Sequence, residues 1–438
     1  MTKIKEEYER VLKAEENLEK ILLRGDMLFF ENSLLTILGD VYDNLVGYFL
    51  EKLSKKIEFR QHLKKIAQDL GLKKLSKRQV RVQIASGSYV TYTSLYAEQV
   101  PQDYEGERSL SRLFFKIKGG ASPEYQSRVS QMSVITPSFA IAKDVLTNFK
   151  CESHPERNRV LSLGLGQSAL ENRVGNVLEA QETLSGQRVI IGIDGGRSRT
   201  REWKAESKSP YGEFETPWRE PKMLVISTVD EKGKVDKKRL PIYDTSFGDD
   251  EIFDILRQYL QRLKVNEAQC VQIVADGAPW IWNRAKPMLL DLGVQAHRIV
   301  ETLDYCHAIE HLNELEVYLP KMVQQATMKT LKDWLWEGNI DKMKTLLMEI
   351  FPNWTENPLK PFDYFEKNQQ RMNYKQFNEQ NLPIGSGIIE SGIRRIINLR
   401  FKCPSSFWNV ENLEPLLFLR AAFLAGRWGI LLNNLNKI

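Results

Sequence analysis

The chain reads as an α/β multidomain protein: a mixed five-stranded sheet with a helical insertion, preceded by a mainly helical N-terminal region. Three features predict this. Five apolar runs rich in β-branched residues fall between 187 and 303, the first three joined by turns and the last two introduced by helical stretches. Turn links favour antiparallel neighbours and helical links favour parallel crossovers, so the sheet is mixed. A long helical block then separates the last run from a basic closing segment.

Taken in order, ERVLKAEENLEKILL, NSLLTILGDVYDNLVGYFLEKL and HLKKIAQDLGL repeat apolar residues at three- and four-residue steps, as amphipathic helices do, and define a helical region over 1–78. It suits oligomerisation or DNA binding. VRVQIASGSYVTYTSLYA changes to β-branched and aromatic residues, predicting a small sheet within 79–135. Residues 136–186 suggest two helices around a polar break. They fit either a helix-turn-helix with SALENRVGNVLEA as recognition helix or a plain helical hairpin. QRVIIGIDGG, MLVISTVD, KKRLPIYDTSF, CVQIVADG and RIVETLD are the five strands of 187–303, with the helix DDEIFDILRQYLQRL inside the series. The helical insertion covers 304–380, and 381–438 returns to the sheet.

A length of 438 residues allows two or three structural units. The formal charge of +5 is modest, but residues 52–81 hold eleven Lys/Arg against two Asp/Glu. That density suits phosphate contact, and equally a solvated helix face. Four scattered cysteines without a CxxC pair argue against a disulfide scaffold and for a reducing compartment. Cys151 and His154 could form half of a zinc site, but no second half is nearby. The N-terminus lacks the apolar core of a signal peptide, and no apolar run approaches the roughly 20 residues that span a bilayer, so a cytoplasmic protein is expected.

Two acids stand out. Asp194 and Asp276 each terminate an apolar run and directly precede glycine (IIGIDGG, QIVADGA). A carboxylate at the end of a buried strand needs donors or a cation to compensate it, and the glycine lets a ligand approach closely. The first and fourth strands are plausible neighbours. A later helix opened by Ser386 between Gly385 and Gly387 could then bring Glu390 to both acids. Alone, Glu390 and Arg394 would be an ordinary i,i+4 pair worth about 0.2–0.5 kcal/mol. Three converging carboxylates instead call for hard cations such as Mg²⁺ or Mn²⁺, and two such ions support in-line phosphoryl displacement.

This order of elements with these acids resembles the RNase H-like DDE transposases of bacterial insertion sequences, and more narrowly their Mutator-like group, over about residues 187–430. The group has an all-helical insertion between the second Asp and the Glu, and a C/D-x-x-H motif after the fifth strand, matched here by DYCH. YFEKNQQRMNYKQFNEQNLPIGSGIIES and RAAFLAGRW complete the likeness. The resemblance implies Asp194, Asp276 and Glu390 as catalytic, metal-binding residues holding two Mg²⁺ or Mn²⁺ ions. It makes Asp304 and His307 a supporting or DNA-handling pair. Double-stranded DNA (terminal inverted repeats and target) and a homo-oligomer are the implied partners. The N-terminal zinc-binding cysteine cluster of related enzymes is missing.

Arg197, Arg199 and Arg201 after the first acid, and Arg394, Arg395, Arg400 and Lys402 after the last, are candidate phosphate contacts. Trp280 and Trp282 could stack on an unpaired base, core packing being their plainer use. Three other readings compete. One is a structure-specific nuclease on the same fold, and another is a transposon-derived DNA-binding protein. The third is a zinc peptidase through HAIEH, with His307 and His311 as ligands and Glu310 as base.

Overall fold

In the computed structural model, residues 3–204, 212–351, 362–404 and 406–435 are described. Two units, Met1–Leu165 and Gly166–Ile438, divide the chain.

The first unit opens with three helices, α1 (Lys3–Leu23), α2 (Met27–Ser54) and α3 (Ile57–Asp69). Asp26 starts α2 by accepting the Phe29 N–H at 3.0 Å. Along α3, Phe59, Leu63 and Ala67 repeat at four-residue steps and pack with Leu72, Ala97 and Leu110, while Lys64 and Lys65 stay exposed. Two strands follow, β1 (Lys73–Gln83) and β2 (Tyr89–Gln99), paired antiparallel. The sheet begins at Lys73, so the basic KKLSKR stretch is strand rather than helix end. Gly87 has φ +88°, which closes the hairpin. Helices α4 (Pro123–Ile135), α5 (Phe139–Asn148) and α6 (Pro155–Leu170) follow. Residues 168–180 are not one recognition helix: α6 runs on to Leu170, and only Arg173–Val177 is helical beyond it. Val174, Gly175, Asn176 and Val177 of that short turn are buried, so they present no face to a groove.

The second unit is built on five strands, β3 (Arg188–Gly195), β4 (Lys222–Val229), β5 (Ile242–Ser246), β6 (Cys270–Ala275) and β7 (Ile299–Leu303). Their order is β7-β6-β3-β4-β5. The pairs β3–β4 and β4–β5 are antiparallel, and β6 runs parallel to both β3 and β7. This is the RNase H-like topology, and all five expected strands form it. The β4–β5 link turns at DEKGK, where Asp230 Oδ1 accepts the N–H groups of Lys232 and Lys234, both at 2.9 Å. The β3–β4 link is longer than a turn: it is a two-stranded ribbon, in which Ser198 pairs with Arg219, Arg199 with Trp218, Glu202 with Glu215 and Trp203 with Phe214.

Helix α7 (Asp249–Arg262) buries Ile252, Phe253, Leu256, Tyr259 and Leu260 at helical spacing. α8 (Pro279–Asp291) joins β6 to β7. The helical block then supplies α9 (Tyr305–Glu314), α10 (Gln324–Glu337) and α11 (Ile340–Ile350). Gly338 at φ +75° ends α10 in the left-handed conformation. Residues 352–361 of the block lie outside the described residues. Last come α12 (Gly387–Ile393), α13 (Val410–Leu424) and α14 (Trp428–Leu435). No helix among the described residues is long and apolar enough to cross a membrane.

Candidate metal centre

The site starts from strand register. Gly192 of β3 lies beside Val274 of β6 in the parallel pair, and two residues further along each strand stand Asp194 and Asp276. Both are half-buried. Asp194 Oδ1 accepts the Gly195 N–H at 2.6 Å, and Asp276 Oδ1 accepts the Ala278 N–H at 3.0 Å. Burial pushes the Asp194 carboxyl up to about 6 against the Gly195 N–H, and the Asp276 charge adds to the rise. The glycine after Asp276 is a steric necessity. A Cβ at Gly277 would stand 2.2 Å from the Tyr364 ring.

Glu390 arrives on α12, which packs against β3 through Ile389. It lies in the first turn, exposed, and its Oε1 accepts the Ser386 hydroxyl at 2.7 Å. Ser386 was expected to cap this helix through its side chain. Its hydroxyl instead holds Glu390, and its own N–H donates to Asp304 Oδ2.

Asp304 is wholly buried and binds three parts of the site together. Its N–H donates to the Ala275 carbonyl of β6 at 2.9 Å, and its Oδ1 starts α9 by accepting the His307 N–H at 2.8 Å. Burial alone would raise its pKa, but the hydrogen bonds from His307 and Ser386 outweigh it and hold the carboxyl well below the usual carboxylate range. His307 Nδ1 lies 3.2 Å from Asp304 Oδ1, a charge contact out of line for a good hydrogen bond. The neighbouring Asp304 carboxylate pushes the imidazole up to about 9.

Asp304, His307 and Glu390 bring their ligand atoms within 4.8 Å of one another, the one such group of His, Cys, Asp or Glu among the described residues. Asp194, Asp276 and Glu390 do not themselves form so tight a set there. Asp194 feels the charges of Asp276 and His307, and Cys306 feels those of Asp304 and Glu390. The carboxylates here suit a divalent cation, whereas His307, held up to about 9 by Asp304, offers a lone pair only once it gives up its proton. Adjacent carboxylates repel one another, and a hard cation offsets that repulsion through oxygen ligands. Both Asp304 oxygens already accept hydrogen bonds, so within the cluster Asp304 chiefly positions His307 and Ser386.

The sequence reading missed Tyr364. Its hydroxyl is buried without a hydrogen-bond partner, and burial, reinforced by the charges of Asp276, Asp304 and Glu310, pushes its pKa far up. The signal was weak, since FDYFEKN reads only as an amphipathic helix.

The candidate DNA contacts separate by burial. Arg197, Arg199, Arg394 and Lys402 are exposed, and Arg201 and Arg395 half-buried. Arg395 donates to the Tyr243 hydroxyl at 3.1 Å. Arg400 requires correction. It is 2% exposed, its guanidinium lies 4.8 Å from the Trp408 ring centre, and burial pushes it down to about 10, so it cannot face a phosphate. Trp280 is half-buried and edge-on to Phe253 at 6.0 Å. Trp282 belongs to the core, 6% exposed, with its indole N–H donating to the Asp276 carbonyl at 2.7 Å.

The zinc alternatives gain no ligand set among the described residues. The His311 and Tyr364 ring centres lie 3.9 Å apart with the rings tilted by 36°, and Cys151 is buried with its thiol pushed up to about 11 by burial. No family model and no curated protein matches the chain. What it presents is an RNase H-like topology carrying a candidate Asp/His/Glu metal-coordinating cluster.

Proposed function

We propose that this chain is a DDE transposase, which cleaves DNA at the ends of a mobile element and joins the exposed 3′ ends to target DNA. The observation carrying this reading is the pairing of β3 with β6, which ends in Asp194 and Asp276 beside the helix bearing Glu390. On this reading Asp194, Asp276 and Glu390 hold two Mg²⁺ or Mn²⁺ ions. Bound there, the ions would supply an activated water or 3′-hydroxyl and stabilise the leaving oxygen. Ser386 orients Glu390 by its hydroxyl, and Asp304 fixes Ser386 and His307, so the acids are held before DNA arrives. The buried Tyr364 hydroxyl is free to donate to a phosphate oxygen. Exposed Arg197, Arg199, Arg394 and Lys402 would hold the flanking backbone. Terminal inverted repeats and target DNA are the proposed partners, bound by a homo-oligomer.

The test is a Mg²⁺-dependent cleavage and joining reaction on DNA carrying the inverted repeats that flank the gene. Asp194→Asn, Asp276→Asn and Glu390→Gln should each abolish both steps and leave end binding intact. Cleavage retained in any one removes that residue from the site. Cutting of branched DNA without need of particular ends would favour a structure-specific nuclease.

A further inference from the structure

The ribbon between β3 and β4 has two chemically different faces. Gly196 donates to the Pro221 carbonyl, Thr200 to Pro217 and Lys204 to Glu213, so the ribbon prolongs the β3–β4 pairing in unbroken register. Side chains alternate along such a strand. One face carries Arg197, Arg199, Arg201 and Trp203, with Trp218 and Phe214 across from Arg199 and Trp203. The other carries Ser198 and Thr200, both buried, and then the Glu202–Arg219 ion pair. Lys204 joins Glu215 at 3.6 Å. Acids of the ribbon thus pair with Arg219 and Lys204, while Glu220 at its base holds Lys222 at 2.9 Å.

On the first face Arg199 and Arg201 lie against rings instead of carboxylates, while Arg197 stands across from Glu220 in the register. Arg199 lies 5.1 Å from the Trp218 centre, and Arg201 lies 4.4 Å from Phe214. Trp203 and Trp218 remain 55% and 49% exposed, so their ring faces are open to a ligand. The ribbon is braced from its other edge: Ser198 donates to the Phe401 carbonyl at 2.9 Å, and Arg201 N–H to the Trp408 carbonyl at 2.9 Å. A braced ribbon loses little entropy when a ligand settles on it.

We infer that this arginine–tryptophan face binds an unpaired, extended nucleic-acid strand. Alternate residues of a strand recur about every 7 Å, a spacing that lets Arg197, Arg199 and Arg201 each meet a successive phosphate. The exposed indoles offer flat faces for bases, and stacking of this kind accepts any base. The ribbon grows directly out of β3 in the same register, so Asp194 belongs to the Ser198–Thr200 face and the arginine face is a separate surface about 10 Å further along the strand. The partner therefore is a single strand gripped by its phosphates and bases, independent of which phosphate is cut. This inference rests on the nucleic-acid reading of the site but not on its metal chemistry.

The test is binding in EDTA, where catalysis plays no part. Labelled 12-nucleotide oligothymidylate and a labelled 12-base-pair duplex are titrated against wild type, Trp218→Leu and Trp218→Phe, with thermal melts confirming that each variant is folded. Leucine keeps apolar bulk without a ring, whereas phenylalanine keeps a ring. Trp218→Leu should weaken oligothymidylate binding by roughly five-fold or more, with Trp218→Phe nearer wild type and duplex binding changed by less than two-fold. Oligothymidylate should also quench tryptophan fluorescence. Unchanged oligothymidylate binding in Trp218→Leu, an equal loss in the phenylalanine variant, or an equal loss for duplex would overturn the inference. Cleavage retained in Asp194→Asn would sink the transposase reading and leave this binding result standing.

Discussion

Gly192 of β3 and Ile389 of α12 are in such close contact that a methyl group on the glycine would stand 3.0 Å from Ile389 Cβ. That contact sets the height of Glu390 above the strand carrying Asp194. It explains a glycine inside an otherwise β-branched run, VIIGID.

Gly192→Ala should therefore push α12 outward. The new Cβ would also meet Val225 Cγ1 at 2.8 Å. Overpacking of this kind costs about 1–3 kcal/mol, visible as a lower melting temperature, and cleavage should fall although no acid has been touched. Adding Val225→Ala should recover part of the stability. A Gly192→Ala variant with wild-type melting and activity would show that this contact does not position Glu390.

Asp304→Asn should loosen the same site from the other side. The amide would set an NH₂ group against the N–H of either Ser386 or His307, leaving a buried donor unmet at a cost of about 1–3 kcal/mol. His307, held up to about 9 by this carboxylate, should titrate lower in the variant. A histidine whose folded pKa is raised stabilises fully below its unfolded value near 6.5, and the gain is lost as pH climbs through about 9. Wild type should thus lose part of its margin over the variant across that window. Nuclear magnetic resonance titration of His307 and melts at pH 6 and pH 9 check both statements.

Asp194 carries the opposite sign. Its folded carboxyl is raised to about 6 from the ordinary 3.8, so its ionisation opposes folding. The penalty grows between those two pH values and is complete above the higher one. In EDTA at pH 7.5, Asp194→Asn should be more stable than wild type by on the order of 1–3 kcal/mol. The advantage should vanish below pH 4. Mg²⁺ should raise the wild-type melting temperature and leave that of the variant unchanged. A less stable Asp194→Asn protein at pH 7.5 would show that the charge is compensated by the chain itself.

Tyr364→Phe removes a buried hydroxyl that has no partner in the fold. Its stability should match or slightly exceed wild type, because no hydrogen bond is lost. If the hydroxyl donates to a DNA phosphate, cleavage should drop about ten-fold while melting is unchanged, a donor to a charged group being worth about 1.5–3 kcal/mol. Parallel losses of stability and activity would assign Tyr364 a packing role only.

The five strands, the helical block and the two acids before glycine were legible in the sequence, because strand and helix periods and chain-turning glycines are local signals. The same signals pointed to Glu390. They did not distinguish Arg400 from its neighbours: its basic side chain reads as a surface group, yet Trp408 and Phe401 close over it. The candidate recognition helix failed similarly, since burial of Val174–Val177 depends on what packs against them. The link after Asp194 looked like a turn, and its pairing across residues 198–219 became visible only with both strands in register.

By itself the sequence determined which segments become strands and helices and which residues carry charge at their ends, because backbone preference and hydrophobic period act over a few residues. Tertiary structure decided which of those charges meet. Asp304 with Ser386, Ile389 with Gly192, and Tyr364 with Gly277 are distant in the chain. Such contacts come from side-chain packing across folded elements, which no local pattern encodes.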